Sequence, residues 1–106
     1  MHRYDLREMT GGWFIGNFFP AAVQSKDFEV TVRRYVLGNR EQKHFQLTAT
    51  EVTVIIEGCA RMGNEFLNAN DIIVLEPYES YDFEALSDVL LVAVKFPSKP
   101  NDKVLD

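Results

Sequence analysis

Apolar and polar positions alternate along FEVTVRRYV, where Phe28, Val30, Val32 and Val36 share one face and Glu29, Thr31, Arg33 and Tyr35 the other. Successive side chains of a strand point to opposite faces, so this segment predicts a strand with one buried side and one polar or pocket-facing side. Similar runs recur at short intervals: WFIGNF from Trp13, EVTVIIE from Glu51, ARM and EFL on either side of Gly63-Asn64, DIIVL from Asp71, YDFEA from Tyr81 and DVLLVAVKF from Asp88. Together they make about eight short strands, and no segment longer than a turn carries the helical period.

The breaks between the runs have turn chemistry. Gly63-Asn64 predicts a tight hairpin, because both residue types tolerate positive φ. Asn68 to Asp71 reads as a loop and Glu76-Pro77-Tyr78-Glu79 as a turn. Many short antiparallel strands without helices hide their edges by closing or stacking, so the expected fold class is all-β, a small antiparallel barrel or a two-sheet jelly roll. The interior of such a barrel holds either side chains or one ligand. The 106 residues are expected to form a single domain, with the barrel core over about 28–96 and PSKPNDKVLD, 97–106, as a C-terminal tail lying along the surface.

Charge and cysteine content narrow the partners. A formal charge of −5 argues against nucleic acid, which is bound by neutralising phosphates with Lys and Arg. The segment from Arg33 to His44 sets Arg33, Arg34, Arg40 and Lys43 against Glu41, whereas Glu65 to Asp88 holds seven acids and no Lys or Arg. Solvated faces are the expectation for both, with an anion-binding patch the alternative for the basic one. The lone Cys59 cannot form an intrachain disulfide. The longest apolar run, Val89 to Val94, is far short of the roughly 20 residues that span a bilayer. MHRYDLREMTGG lacks the apolar stretch of a signal peptide. A cytoplasmic protein with no membrane partner is expected.

GNREQKHFQLTATEVTVIIEG, Gly38 to Gly58, resembles the first signature of the cupin superfamily: Gly, five residues, His, one residue, His, three or four residues, Glu, six residues, Gly. Gly38, His44, Glu51 and Gly58 stand at the positions of that signature, and Gln46 replaces its second His. The second cupin signature is resembled by NDIIVLEPYESYDFEA, where Asp71 and Pro77 fit, Asn70 and Tyr78 stand for its two glycines, and Tyr81 stands for its His. The resemblance covers Phe28 to Phe96 and implies a cupin barrel, also described as a double-stranded β-helix. The ending VKFPS, with Trp13-Phe14 and Gly16, is similar to small single-domain cupins found with surface-polysaccharide and sugar-modification genes. That likeness implies a carbohydrate or nucleotide-sugar ligand, and the common pairing of small cupins implies a homodimer.

In metal-dependent cupins the two His, the Glu and the later His hold one divalent ion inside the barrel; the set implied here is His44, Gln46, Glu51 and Tyr81. The chain has only His2 and His44, so a three-His site within one subunit is impossible, and an amide or phenol oxygen is a weak donor. No cofactor is therefore expected to be required, and a divalent ion is the disfavoured alternative. A purely structural role would hydrogen-bond His44 between strands, with Gln46 in its network and Glu51 paired to Arg33 or Arg34. Metal-free acid/base chemistry, which the resemblance to sugar epimerases and ketoisomerases implies, would use His44 as base, Glu51 to orient the imidazole, and Tyr81 or Tyr35 as proton donor. Arg33, Arg34 or Lys95 would meet a diphosphate or oxyanion. Ligand contacts are expected from Arg33, Tyr35, Gln46, Tyr78 and Lys95. The aromatics Trp13, Phe14, Phe18 and Phe19 are expected in core or dimer packing ahead of sugar stacking, and Cys59 is expected to be a structural thiol.

Overall fold

The computed structural model describes all of residues 1–106, as eleven strands in two sheets. In chain order the strands are β1 Trp13–Gly16, β2 Val23–Gln24, β3 Glu29–Tyr35, β4 Arg40–Gln46, β5 Thr50–Glu57, β6 Cys59–Met62, β7 Glu65–Asn68, β8 Ile72–Leu75, β9 Tyr81–Ala85, β10 Val89–Phe96 and β11 Lys103–Leu105. One sheet has the order β2-β1-β3-β10-β5-β8 and the other β11-β4-β9-β6-β7. All neighbours pair antiparallel except β1 with β2. This is the jelly-roll barrel that the strand spacing and turn chemistry predict. The helical content is two 3₁₀ turns, Leu6–Glu8 and Thr10–Gly12, and no helix is long and apolar enough to cross a membrane.

Alternate residues of the central strands supply the interior: Val89, Leu91 and Ala93 on β10, Ile55 on β5, Ala60 and Met62 on β6, and Tyr81, Phe83 and Ala85 on β9. The rings of Tyr35 and Phe83 meet across the two sheets at 4.5 Å. Complete burial of a side chain such as Ile55, 0% exposed, stabilises the fold by roughly 1.5–3 kcal/mol.

The two faces of FEVTVRRYV separate as expected, but their environments differ from the expected ones. Thr31 and Tyr35 are buried inside, while Val30 and Val32 are half-buried on the outside and Phe28 and Val36 are exposed. The sheet registers extend that outer face into two apolar rows four strands wide, Val32–Val92–Val54–Ile72 and Val30–Val94–Val52–Val74.

Three strands lie outside the eight read from the pattern. β2 has only two residues. β4, REQKHFQ, turns polar side chains both inward and outward and so lacks alternation. β11 forms within residues 97–106, expected as a surface tail; the segment docks as a strand on β4 and buries Ser98 and Asp102. Asp102 anchors it by accepting hydrogen bonds from the backbone N–H groups of Thr48 and Ala49, at 3.1 and 2.9 Å.

Turns hold the register. Gly38 and Gly58, which bound the stretch carrying His44 and Glu51, both have φ of 89°. A Cβ on Gly58 would lie 2.1 Å from the Asp88 carbonyl oxygen, so only glycine fits there.

Candidate functional site

Between the sheets is a cavity of about 160 Å³ lined by side chains of both, including Thr31, Arg33 and Tyr35 from β3, Glu41 and His44 from β4, Glu51 and Thr53 from β5, Tyr81 and Phe83 from β9, Lys95 from β10 and Lys103 from β11, with Trp13 at β1. β3 and β5 bring every second residue inward by simple alternation. β4 does not. Glu41 and His44 are three apart, and both reach the cavity because the pairing of β4 with β9 shifts register between them.

Two carboxylates, the buried Glu51 and the half-buried Glu41, are each held by a phenol from the opposite sheet. Tyr81 Oη donates to Glu51 Oε2 at 2.7 Å, and Tyr35 Oη donates to Glu41 Oε1 at 2.8 Å. Burial, then the adjacent carboxylates, push both phenols above the ordinary phenol range, so they stay protonated hydrogen-bond donors at neutral pH. Arg33 pairs with Glu41 at 3.2 Å and lies over the Tyr35 ring. Glu51 forms no ion pair; the partner of Arg33 is Glu41, and Arg34 is exposed on the outer face.

His44 is 2% exposed and its ring lies 4.5 Å from that of Tyr81, its neighbour in register. Its Nδ1 is 2.7 Å from the Gln42 carbonyl oxygen. A carbonyl only accepts, so Nδ1 carries the proton and Nε2 of the neutral ring has a free lone pair. The orienting group for the imidazole is thus a backbone carbonyl; Glu51, expected in that role, is engaged by Tyr81. Burial holds the imidazole below its ordinary pKa against the opposing pull of the Gln42 carbonyl, which keeps it neutral at pH 7.

Of the residues expected from sequence, the fold brings His44, Glu51, Tyr81, Arg33, Tyr35 and Lys95 to one cavity. Gln46 is buried but lines a neighbouring cleft of about 240 Å³ with Asn17, Glu29, Ser98, Lys99 and Asp102. Tyr78 stands outside both, 68% exposed and stacked on Phe45. The aromatic group disperses: Trp13 lines the cavity beneath Lys95, whose Nζ is 4.9 Å from the ring centroid, Phe18 lines the cleft, Phe14 lines a groove under the first residues, and Phe19 is 87% exposed. Glu41 and Lys103 are site residues that strand alternation and the reading of 97–106 as a tail did not reveal.

The donors present do not suit a tightly held metal ion. Gln46 lies in the separate cleft, one oxygen of Glu51 is taken by Tyr81, and no group of three or more His, Cys, Asp or Glu is placed to hold an ion. The ammonium-bearing Lys95 and Lys103 also line the cavity, and neither forms an ion pair. Their charge opposes a cation and favours an anion.

No protein-family model matches the chain, and no curated protein matches it by sequence. Solved structures do. A protein of Klebsiella pneumoniae with a double-stranded β-helix domain is 22% identical, with a TM-score of 0.68 over 76% of this chain and 71% of that one. Oxalate decarboxylase from Bacillus subtilis is 15% identical, with a TM-score of 0.67 over 76% of this chain and 24% of the enzyme. A sugar phosphate isomerase of the cupin superfamily from Silicibacter pomeroyi is 15% identical, with a TM-score of 0.61 over 66% of this chain and 50% of that one. The chain has the cupin fold.

Proposed function

We propose that this cupin-fold chain binds a small carbohydrate-like anion, such as a sugar acid or the sugar phosphate end of a nucleotide sugar, inside its barrel. The observation that carries the reading is the pair of unpaired lysines, Lys95 and Lys103, lining the same cavity as His44 and the Tyr81–Glu51 pair. A cavity of about 160 Å³ takes a group the size of one small ring, so a nucleotide sugar would place only its sugar end there. Oxalate decarboxylase and the sugar phosphate isomerase, which share the fold, are named for small anions. Calorimetric titration with hydroxy acids, sugar acids and sugar phosphates tests this. Lys95→Met and Lys103→Met should each weaken the anions while leaving neutral sugars unchanged, and a protein that binds none of the anions refutes the reading.

A second reading is metal-free isomerisation or epimerisation, favoured by the tautomer of His44. A neutral imidazole with its Nε2 lone pair free is a base able to take a proton next to a carbonyl. Tyr81, held protonated, can return one, and Lys103 or Arg33 can stabilise the enolate oxygen. Incorporation of solvent deuterium at a sugar carbon, abolished in His44→Ala, is the expected result; exchange that persists in that variant excludes His44 as the base.

We also propose that the protein is a cytoplasmic homodimer. The apolar rows on the outer face of the larger sheet support pairing with a second copy, because monomers rarely expose continuous apolar surface of that kind. The lone thiol of Cys59 is compatible with a reducing compartment.

A further inference from the structure

We propose that the cleft beside the barrel cavity is a second subsite for the same ligand and takes hydroxyl groups, so that the full ligand is a polyhydroxylated organic anion with its charged end in the cavity. The inference rests on the reading of the cavity as an anion site and extends it to the rest of the molecule bound there.

Two side chains carry it. Gln46 and Asp102 are 5% and 6% exposed, and both line the cleft. Gln46 Nε2 and Asp102 Oδ1 are shielded from solvent, and neither has a hydrogen-bond partner in the protein. Several groups around them are already engaged. Asp102 Oδ2 accepts from the N–H groups of Thr48 and Ala49, and the backbone carbonyl of Gln46 accepts from the Tyr78 N–H at 2.8 Å. Ser98, also buried, accepts from the Asn17 N–H and donates to Glu29. Gln46 Nε2 and Asp102 Oδ1 thus leave the cleft one buried donor and one buried acceptor without a partner.

That pairing selects the chemistry of the partner. A carboxylate or phosphate group accepts from Gln46 but offers nothing to Asp102, which its backbone donors hold ionised against the opposing effect of burial. An ammonium group does the reverse. A hydroxyl both accepts and donates, so one alcohol, or two neighbouring alcohols, satisfies both atoms. Lys95 and Lys103 line cavity and cleft alike, so the two spaces adjoin at the residues that attract the charged end. A chain of hydroxylated carbons is too large for the cavity alone and would continue into the cleft, whose volume is about 240 Å³.

The test is calorimetric titration of the full chain with glycolate, which fits the cavity, and gluconate, which needs both spaces. Gln46→Met removes the donor at nearly constant length, and Gln46→Glu replaces it with an acceptor should the first variant fold poorly. Gluconate should bind more tightly than glycolate, and either variant should weaken it by about tenfold while changing glycolate by less than about twofold. Gluconate affinity indifferent to both substitutions, with glycolate still bound, overturns the cleft and leaves the cavity reading standing; a cleft that holds only ordered water gives that result. Gluconate binding that depends on Gln46 without any glycolate binding upholds the cleft and overturns the cavity reading. Binding of neither anion overturns both.

Discussion

The phenol of Tyr81, on one sheet, donates a 2.7 Å hydrogen bond to Glu51 on the other, across the interior of the barrel. Tyr35 and Glu41 repeat the arrangement with the sheets exchanged, at 2.8 Å. The two pairs are not equivalent. Glu41 keeps Arg33 when its phenol is lost, whereas Glu51, 5% exposed, has no other hydrogen bond. Tyr81→Phe is therefore expected to destabilise the fold by roughly 1.5–3 kcal/mol, the range for a buried hydrogen bond to a charged group, and Tyr35→Phe by clearly less. Urea unfolding at pH 7 measures both; equal losses would show that Arg33 contributes nothing to holding Glu41.

His44 sets a pH dependence of defined sign. Burial lowers its folded pKa below the ordinary 6.5, so between those values the unfolded chain binds the proton more readily. The resulting stability is complete above pH 6.5 and declines as pH falls toward the folded pKa. Melting temperatures from pH 7.5 to 5 should show this decline in the wild type and a flatter profile in His44→Ala. Any exchange catalysed by Nε2 should be level through neutral pH and fall only below the lowered pKa, giving an acid limb displaced below that of free imidazole. A limb at or above 6.5 would exclude His44 as the titrating base.

The backbone of the site was more legible than its chemistry. Gly38, His44, Glu51 and Gly58 kept the spacing that places an imidazole and a carboxylate in one barrel, and both glycines adopt a left-handed φ. Asn70 and Tyr78, which stand where the second signature has glycine, also have positive φ, 78° and 69°. The local path of the chain thus survives the change of residue. Alternation could not reveal Glu41, because the register shift within β4 places it on the inner face, nor Lys103, because its short strand lies among prolines and charges. Gln46, two residues from His44 on β4, is buried, yet period-two geometry says nothing about which of two adjoining spaces a side chain enters.

Tyr78 makes that backbone argument measurable. Its ring stacks on Phe45 at 5.6 Å, while its φ lies where a Cβ is strained. Alanine and glycine both delete the ring, but only glycine relieves the backbone. Tyr78→Gly is expected to be more stable than Tyr78→Ala by about 1 kcal/mol, read as the difference in unfolding free energy. Equal stability, or an advantage for alanine, would refute a strained turn.

The donor set of the cavity predicts weak metal affinity. A single imidazole nitrogen and the remaining oxygen of Glu51, facing two lysines and with the Glu41 carboxylate engaged by Tyr35 and Arg33, provide too few anionic ligands for an ion of the first transition series. Titration of purified protein with manganese, iron, cobalt, nickel and zinc salts is expected to leave the melting temperature within about 2 °C, with no near-stoichiometric metal after dialysis. One ion that binds at unit stoichiometry and stabilises strongly would reverse this reading, and loss of that effect in His44→Ala would place it in the cavity.

The outer face of the larger sheet supplies the last prediction. Val92 and Val54 are paired in register at the centre of one apolar row, and Val94 and Val52 at the centre of the other, with Ile72 and Val74 exposed at the edge. No charged side chain interrupts either row across the four strands. A charge at the centre must be desolvated if a second copy covers it, whereas on a free monomer it points into water at little cost. Val92→Glu and Val54→Lys are therefore expected to convert a dimer into a folded monomer, seen as a halved mass in light scattering at micromolar concentration with an unchanged β-sheet spectrum. The cavity opens on the opposite face of the same strands, so ligand affinity should survive. A wild-type chain that is already monomeric across this concentration range would remove the second copy as the occupant of that face.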